Sequence, residues 1–314
     1  PGASSDRPSG TTNPWQVPKS STMPAREPAS PKGPGLHLRA ITLDRTRGAS
    51  ELAVAALQCV RTWAHSAPLE GPEGARNLRH AARTLRHAQP AMGAFLRWAM
   101  ALDAIARRPQ GRRSTLLRSL RTELPSMRSE SRRVASSAAR VLPPGATFVT
   151  ISRSATVATA LALAPRSRRA GQVVVLESLP GGEGREQARW LRRRGVPAGV
   201  VPDPEGVARV RDADALLIGA DAVFSDGTVW HKVGTRPLAA AARAAGVPVI
   251  VLAGSSKFVP GRAPRRLPGG RFDATPGSEI SLFVTEQGPV SGPRPSTGRF
   301  RATGARALGR RRAA

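Results

Sequence analysis

From residue 146 onward the chain alternates short, wholly apolar runs with stretches of helical period, and this constrains the fold more than any other feature. The runs are Thr147–Ile151, Val173–Leu176, Gly199–Val201, Leu216–Ile218, Val247–Leu252 and Ile280–Val284. Helix candidates lie between them at Ala155–Ala164, Gly184–Arg194, Glu205–Arg211 and Leu238–Ala245. A strand that is apolar on both faces must be covered on both faces, and strands joined through helices run parallel. The pattern therefore predicts an α/β fold whose C-terminal part, 141–290, is a Rossmann-like doubly wound, mainly parallel sheet. Ligands of such sheets bind where strands end and helices begin.

The stretch before it reads as a helical domain over 37–140. Leu52, Ala56, Cys59 and Trp63 recur at helical spacing on one face, with Ser50 as the expected N-cap. Cys59 then falls on an apolar stripe, where a structural thiol is the natural reading. Further helices are expected at 75–88, Phe95–Ala106 and Ser114–Arg140. The flanks differ in kind. Residues 1–36 are rich in Pro, Ser, Gly and Thr without hydrophobic period, and 291–314 hold seven Arg and no acid. Both are expected to be disordered arms, the second a basic tail.

Composition enters mainly as exclusion. No apolar run approaches the roughly 18 residues of a membrane span, and the N-terminal stretch has no apolar segment of the secretory kind. The single cysteine excludes a disulfide framework or a Cys-rich zinc site, so a reducing, cytoplasmic setting is expected, with no metal and no cofactor. The net charge is +28, but 45 of the 49 basic residues are Arg. Arg, Ala, Gly and Pro all have GC-rich codons, so base composition accounts for part of that excess. Residues 75–140 alone carry 15 Arg against Asp103, Glu123 and Glu130. A charged solvent face explains these, and no groove-reading module is present. Nonspecific attraction to nucleic acid at low salt still follows from the charge.

Three segments at strand ends could carry chemistry. In Thr150–Val157, hydroxyls and Arg153 stand where a strand yields to a helix N-terminus, a place that favours phosphate. Capping by Ser154 explains the same residues without a ligand. In Leu216–Thr235, Asp221 follows an apolar strand and could act as a general acid or base, with Lys232 as a cation. Gly234-Thr235 could offer backbone amides to phosphate. Glu177–Gly184 is a glycine-bearing turn but not a GxGxxG fingerprint, so no dinucleotide is inferred.

The stretch GADAVFSDGTVWHKVGTRPLAAAARAAGVPVIVLAGSSKF, from Gly219 to Phe258, resembles a known family signature. That family joins the α, β and δ subunits of translation initiation factor 2B to isomerases of methylthioribose-1-phosphate and ribose-1,5-bisphosphate. Arg47-Gly48-Ala49, Thr150–Ser154, Glu177–Gly184 and Thr285-Glu286-Gln287-Gly288 agree with it in order. The resemblance implies a helical N-terminal domain and a Rossmann-like one. It also implies proton transfer in the isomerases by a cysteine and an aspartate flanking the sugar. Asp221 stands at the aspartate position, Lys232 at the lysine and Arg47 at the phosphate-binding arginine.

The cysteine position holds Ser152. A thiol titrates near pH ~8.5, whereas an unactivated hydroxyl is far too weak an acid. Leu179 and Gln89 stand where the family has Arg, and His231 where it has Asn. The expectation is a non-catalytic or catalytically altered relative that binds a phosphorylated sugar or nucleotide and works as a dimer or with related subunits. Its expected site comprises Asp221, Ser152, Arg47, Gly48, Ala49, Arg153, Ser154, Lys232, Gly234 and Thr235. The alternatives are an aldose–ketose isomerase using Asp221, and an Arg-rich nucleic-acid or ribosome-associated protein.

Overall fold

A computed structural model describes residues 36–44, 47–143, 145–164 and 170–290. Apart from Leu36, the two predicted arms lie outside these residues. The N-terminal half is helical: α1 (Arg39–Leu43), α2 (Ala49–Ser66), α3 (Gly71–Ala88), α4 (Gly93–Ala106) and α5 (Arg112–Val141). Leu52, Ala56 and Trp63 are buried as their spacing predicts, while Cys59 is half-buried against the same core. The cap differs from expectation. Helix α2 begins at Ala49, and the Gly48 N–H donates to Glu51 Oε2 at 3.1 Å, so Ser50 lies inside the first turn.

The sheet uses β1 (Ala146–Ile151), β2 (Ala170–Leu176), β3 (Ala198–Val201), β4 (Ala215–Gly219), β7 (Val249–Leu252), β10 (Leu282–Thr285) and β11 (Gly288–Val290). Their order is β11-β10-β7-β4-β1-β2-β3, parallel except for the β10–β11 hairpin. The chain thus starts mid-sheet, runs outward to β3, then crosses back beyond β1. That reversal makes a switch point between β1 and β4.

Strand periodicity sorts the core. Phe148, Val173, Leu217 and Ile250 face α6 (Ala155–Leu163), α7 (Glu183–Arg192) and the end of α5. Val149, Leu216, Ile218 and Val251 face α8 (Gly206–Arg211) and α9 (Thr235–Ala244). Helix α5 serves both halves. Leu116, Leu120 and Leu124 pack in the helical core, whereas Val134, Ala135 and Ala138 pack on the sheet.

One element escaped the sequence reading. After β4 the chain forms a second sheet, β8 (Phe258–Val259), β5 (Ala222–Phe224), β6 (Val229–Lys232) and β9 (Phe272–Thr275), in that order. Asp226-Gly227 is the turn between β5 and β6. Gly227 has φ 84°, and Asp226 Oδ1 accepts the Thr228 N–H at 3.0 Å. An Asp-Gly pair between two short apolar runs is a hairpin signal.

Close packing at the sheet's carboxyl edge yields a first prediction. A Cβ at Gly184, in the first turn of α7, would collide with the Leu176 carbonyl at the end of β2. Backbone cannot move aside as a side-chain tip can. Gly184→Ala is therefore expected to cost about 3 kcal/mol or more, read as a lower midpoint in urea denaturation.

Candidate functional site

The carboxyl ends of β1 and β4 open onto a cavity of about 440 Å³. Its walls come from the start of α2, the middle of α5, the loop and first turn after β1, and the segment after β4. This is where the switch point places a site.

The loop after β1 is held in an unusual shape. Ser152 has φ 64° and Ser178, at the end of β2, φ 70°, both in the left-handed region that L-residues disfavour. Hydrogen bonds hold them there. The Ser152 N–H donates to Ser178 Oγ at 2.6 Å, and the Ser178 and Leu179 N–H groups each donate to Asp203 at 2.7 Å. Ser154 Oγ accepts the Val157 N–H at 3.3 Å as the N-cap of α6, while its own N–H donates to buried Gln187. Ser154 thus caps its helix and lines the cavity at once. Gly219 allows the approach, since a Cβ there would lie 2.8 Å from Ser154 Oγ.

Asp221 is fixed by its backbone. Its N–H donates to Trp230 O on β6 and its C=O accepts from Gly93 at the start of α4, both at 2.8 Å. The side chain lines the cavity together with Ser152, Arg153, Lys232, Thr235 and Lys257. Burial pushes the Asp221 carboxyl above the ordinary carboxylate range, and Lys257 and Lys232 partly offset this. Buried Lys257 donates from Nζ to Ala220 O at 2.7 Å. Desolvation lowers its amine, against the pull of Asp221 and Glu130. Lys232 Nζ lies 2.9 Å from both carboxylate oxygens of Glu183. His231, beside it, is buried and also lines the cavity, and burial lowers its imidazole to about 4.

Of the expected site residues, Asp221, Ser152, Arg153, Ser154, Lys232, Thr235, Gly48 and Ala49 all line this one cavity. The other two are placed differently. Arg47 is not among its lining residues and instead binds Asp44 Oδ2 at 2.7 Å from an exposed position. Gly234 does not present its amide to the cavity, because its N–H and that of Arg236 donate to Asp273 Oδ2 at 2.7 and 3.1 Å. A protein carboxylate occupies the anion position at the start of α9. Thr235 Oγ1 is likewise engaged, donating to Lys232 O at 2.7 Å.

Sequence reasoning missed Lys257 and Glu130. Lys257 was within the family-like stretch but followed a different strand, and nothing local marks Glu130 in a helix full of charges. Among the described residues, no cluster of three or more His, Cys, Asp or Glu side chains could hold a metal ion.

Residues 45–265 match the initiation factor 2 subunit family. The chain is 31% identical over 219 residues to a ribose 1,5-bisphosphate isomerase of Haloferax volcanii, covering 68% of each chain. It is 30% identical over 214 residues to a methylthioribose-1-phosphate isomerase of Gemmatimonas aurantiaca, covering 57% of this chain and 62% of that one. The fold superposes on a crystal structure of the Pyrococcus horikoshii OT3 translation initiation factor eIF-2B. The TM-score is 0.69 at 27% identity, covering 82% of this chain and 96% of that one. With its helical N-terminal half, its sheet order and its match over most of its length, this chain belongs to the initiation factor 2 subunit family.

Proposed function

We propose that the chain binds a phosphorylated sugar or nucleotide in the cavity between β1 and β4, without the thiol-dependent proton transfer that the family resemblance implies for the isomerases. The observation that carries this is the convergence of Asp221, Lys232 and the Ser152–Ser154 loop on one hollow. Its size lies in the usual range for small-molecule sites, roughly 300–1,000 Å³. A carboxylate can accept hydrogen bonds from sugar hydroxyls, and the loop at the start of α6 provides hydroxyls for a phosphate. Ser152 stands where the resemblance puts the isomerases' cysteine, and Cys59 is not among the cavity's lining residues.

Calorimetric titration with ribose 1,5-bisphosphate, methylthioribose 1-phosphate and nucleoside monophosphates tests the reading. Binding of at least one is expected, weakened about tenfold to hundredfold in Asp221→Asn, since one hydrogen bond to a charged group contributes about 1.5–3 kcal/mol. No heat from any of them with folded protein overturns it. Sedimentation of the same samples tests assembly with a second copy, which the family resemblance implies.

The elevated Asp221 carboxyl favours a second reading, because a group shifted toward neutrality suits general acid–base work. An aldose–ketose isomerase would turn over one of the two sugar phosphates and lose that turnover in Asp221→Asn. In that case Ser152→Cys should raise the rate. No turnover by either the native chain or Ser152→Cys leaves the binding reading standing.

A further inference from the structure

We infer that Glu183 determines specificity at this cavity, neutralising Lys232 and so restricting the site to ligands bearing a single phosphate. This rests on the proposal that the cavity binds a phosphorylated ligand. Among the described residues, four cationic side chains line it: Arg128, Arg153, Lys232 and Lys257. Three are already engaged. Lys232 is held by both Glu183 oxygens at 2.9 Å, Arg153 lies 3.7 Å from Glu186, and Lys257 donates to Ala220 O beside Asp221. Among the described residues, Arg128 has no carboxylate within 4 Å. One uncommitted guanidinium suits one phosphate group. A second would have to take Lys232 from Glu183 or accept a carboxylate as a neighbour, and like charges brought together in a partly buried site repel strongly.

The Glu183 pairing is supported by the local backbone. Glu183 follows Gly181-Gly182, and Gly182 has φ 67°, which turns the chain sharply into α7. The Glu183 carboxyl folds back over Gly181, where a Cβ would collide with it. Two adjacent glycines thus let this carboxylate reach across to Lys232, a residue 49 positions away. The pair is also sheltered. The Lys232 side chain is 16% exposed and that of Glu183 37%, so solvent screens the pair only partly.

The test compares the native chain with Glu183→Gln and Gly181→Ala, titrating each with ribose 1-phosphate and ribose 1,5-bisphosphate. Glu183→Gln keeps the side chain's shape and removes its charge, while Gly181→Ala keeps the charge and displaces it. In both variants affinity for the bisphosphate, relative to the monophosphate, is expected to rise about tenfold or more, as Lys232 becomes available for a charge-assisted bond. Bisphosphate binding that appears only in the variants also supports the inference. A ratio within twofold of the native value, while both sugars bind, overturns it and leaves the proposed function intact. Folded native and variant proteins that bind neither sugar overturn both.

Discussion

Glu130→Ala is expected to lower stability by about 3–5 kcal/mol, the usual cost of removing one partner from a buried charged network. Glu130 is 4% exposed on α5. Its Oε1 accepts the Ser256 N–H at 2.9 Å and its Oε2 the Ser256 hydroxyl. It also faces buried Lys257, whose amine it helps keep charged. The alanine variant leaves two Ser256 donors buried without an acceptor and strips Lys257 of one of its two acidic neighbours. Each unsatisfied donor carries a desolvation penalty of about 1–3 kcal/mol. Glu130→Gln retains acceptor capacity and loses charge, so its cost should fall between native and alanine. Urea denaturation of the three proteins checks the order. A loss below about 1 kcal/mol in Glu130→Ala would show that the network does not hold the loop carrying Lys257.

A second large effect concerns pH. His231 is buried, and its imidazole titrates near 4 when folded, against an ordinary value of 6.5. Desolvation of the cation is the main cause, opposed by contact with the Lys232 carbonyl and by Asp273. As pH falls, the unfolded chain takes up this proton before the folded one does. The stability His231 confers is therefore complete above about pH 6.5 and is lost as pH falls through that value toward 4. A displacement of this size corresponds to about 3 kcal/mol. Asp221 acts in the opposite sense: its raised carboxyl binds a proton more readily in the folded state, adding stability as pH falls. The contribution of His231 is thus best isolated as a difference. Denaturation of the native chain and His231→Gln between pH 7 and 4 should show a shallower decline in the variant. Equal slopes would place the imidazole's titration elsewhere.

The site has a consistent design. Asp221, Lys257 and His231 all stand at the cavity with their charged forms disfavoured by burial. Titratable groups displaced together beside one cavity are the pattern of a binding or catalytic site. Ser152 and Ser178 add backbone strain at the same edge of the sheet.

The parallel sheet was legible because its strands are buried on both faces, which leaves unbroken apolar runs such as Val173–Leu176 and Val249–Leu252. The position of Asp221 was legible for a related reason, since an acid directly after such a run can only stand at the sheet's edge. The second sheet shows no period, since β5 and β8 are three and two residues long, and only the Asp226-Gly227 turn marks it in the sequence. Chain order alone thus determined the architecture and the edge at which a ligand would sit. The partners of the charges were decided by tertiary structure. Arg47 turned to Asp44, the amide of Gly234 to Asp273, Lys232 to Glu183 and Ser256 to Glu130 across 126 residues. Hydrophobic burial follows a local period that sequence displays, whereas an ion pair depends on which side chains the finished fold brings within about 3 Å of each other, and no local pattern encodes that.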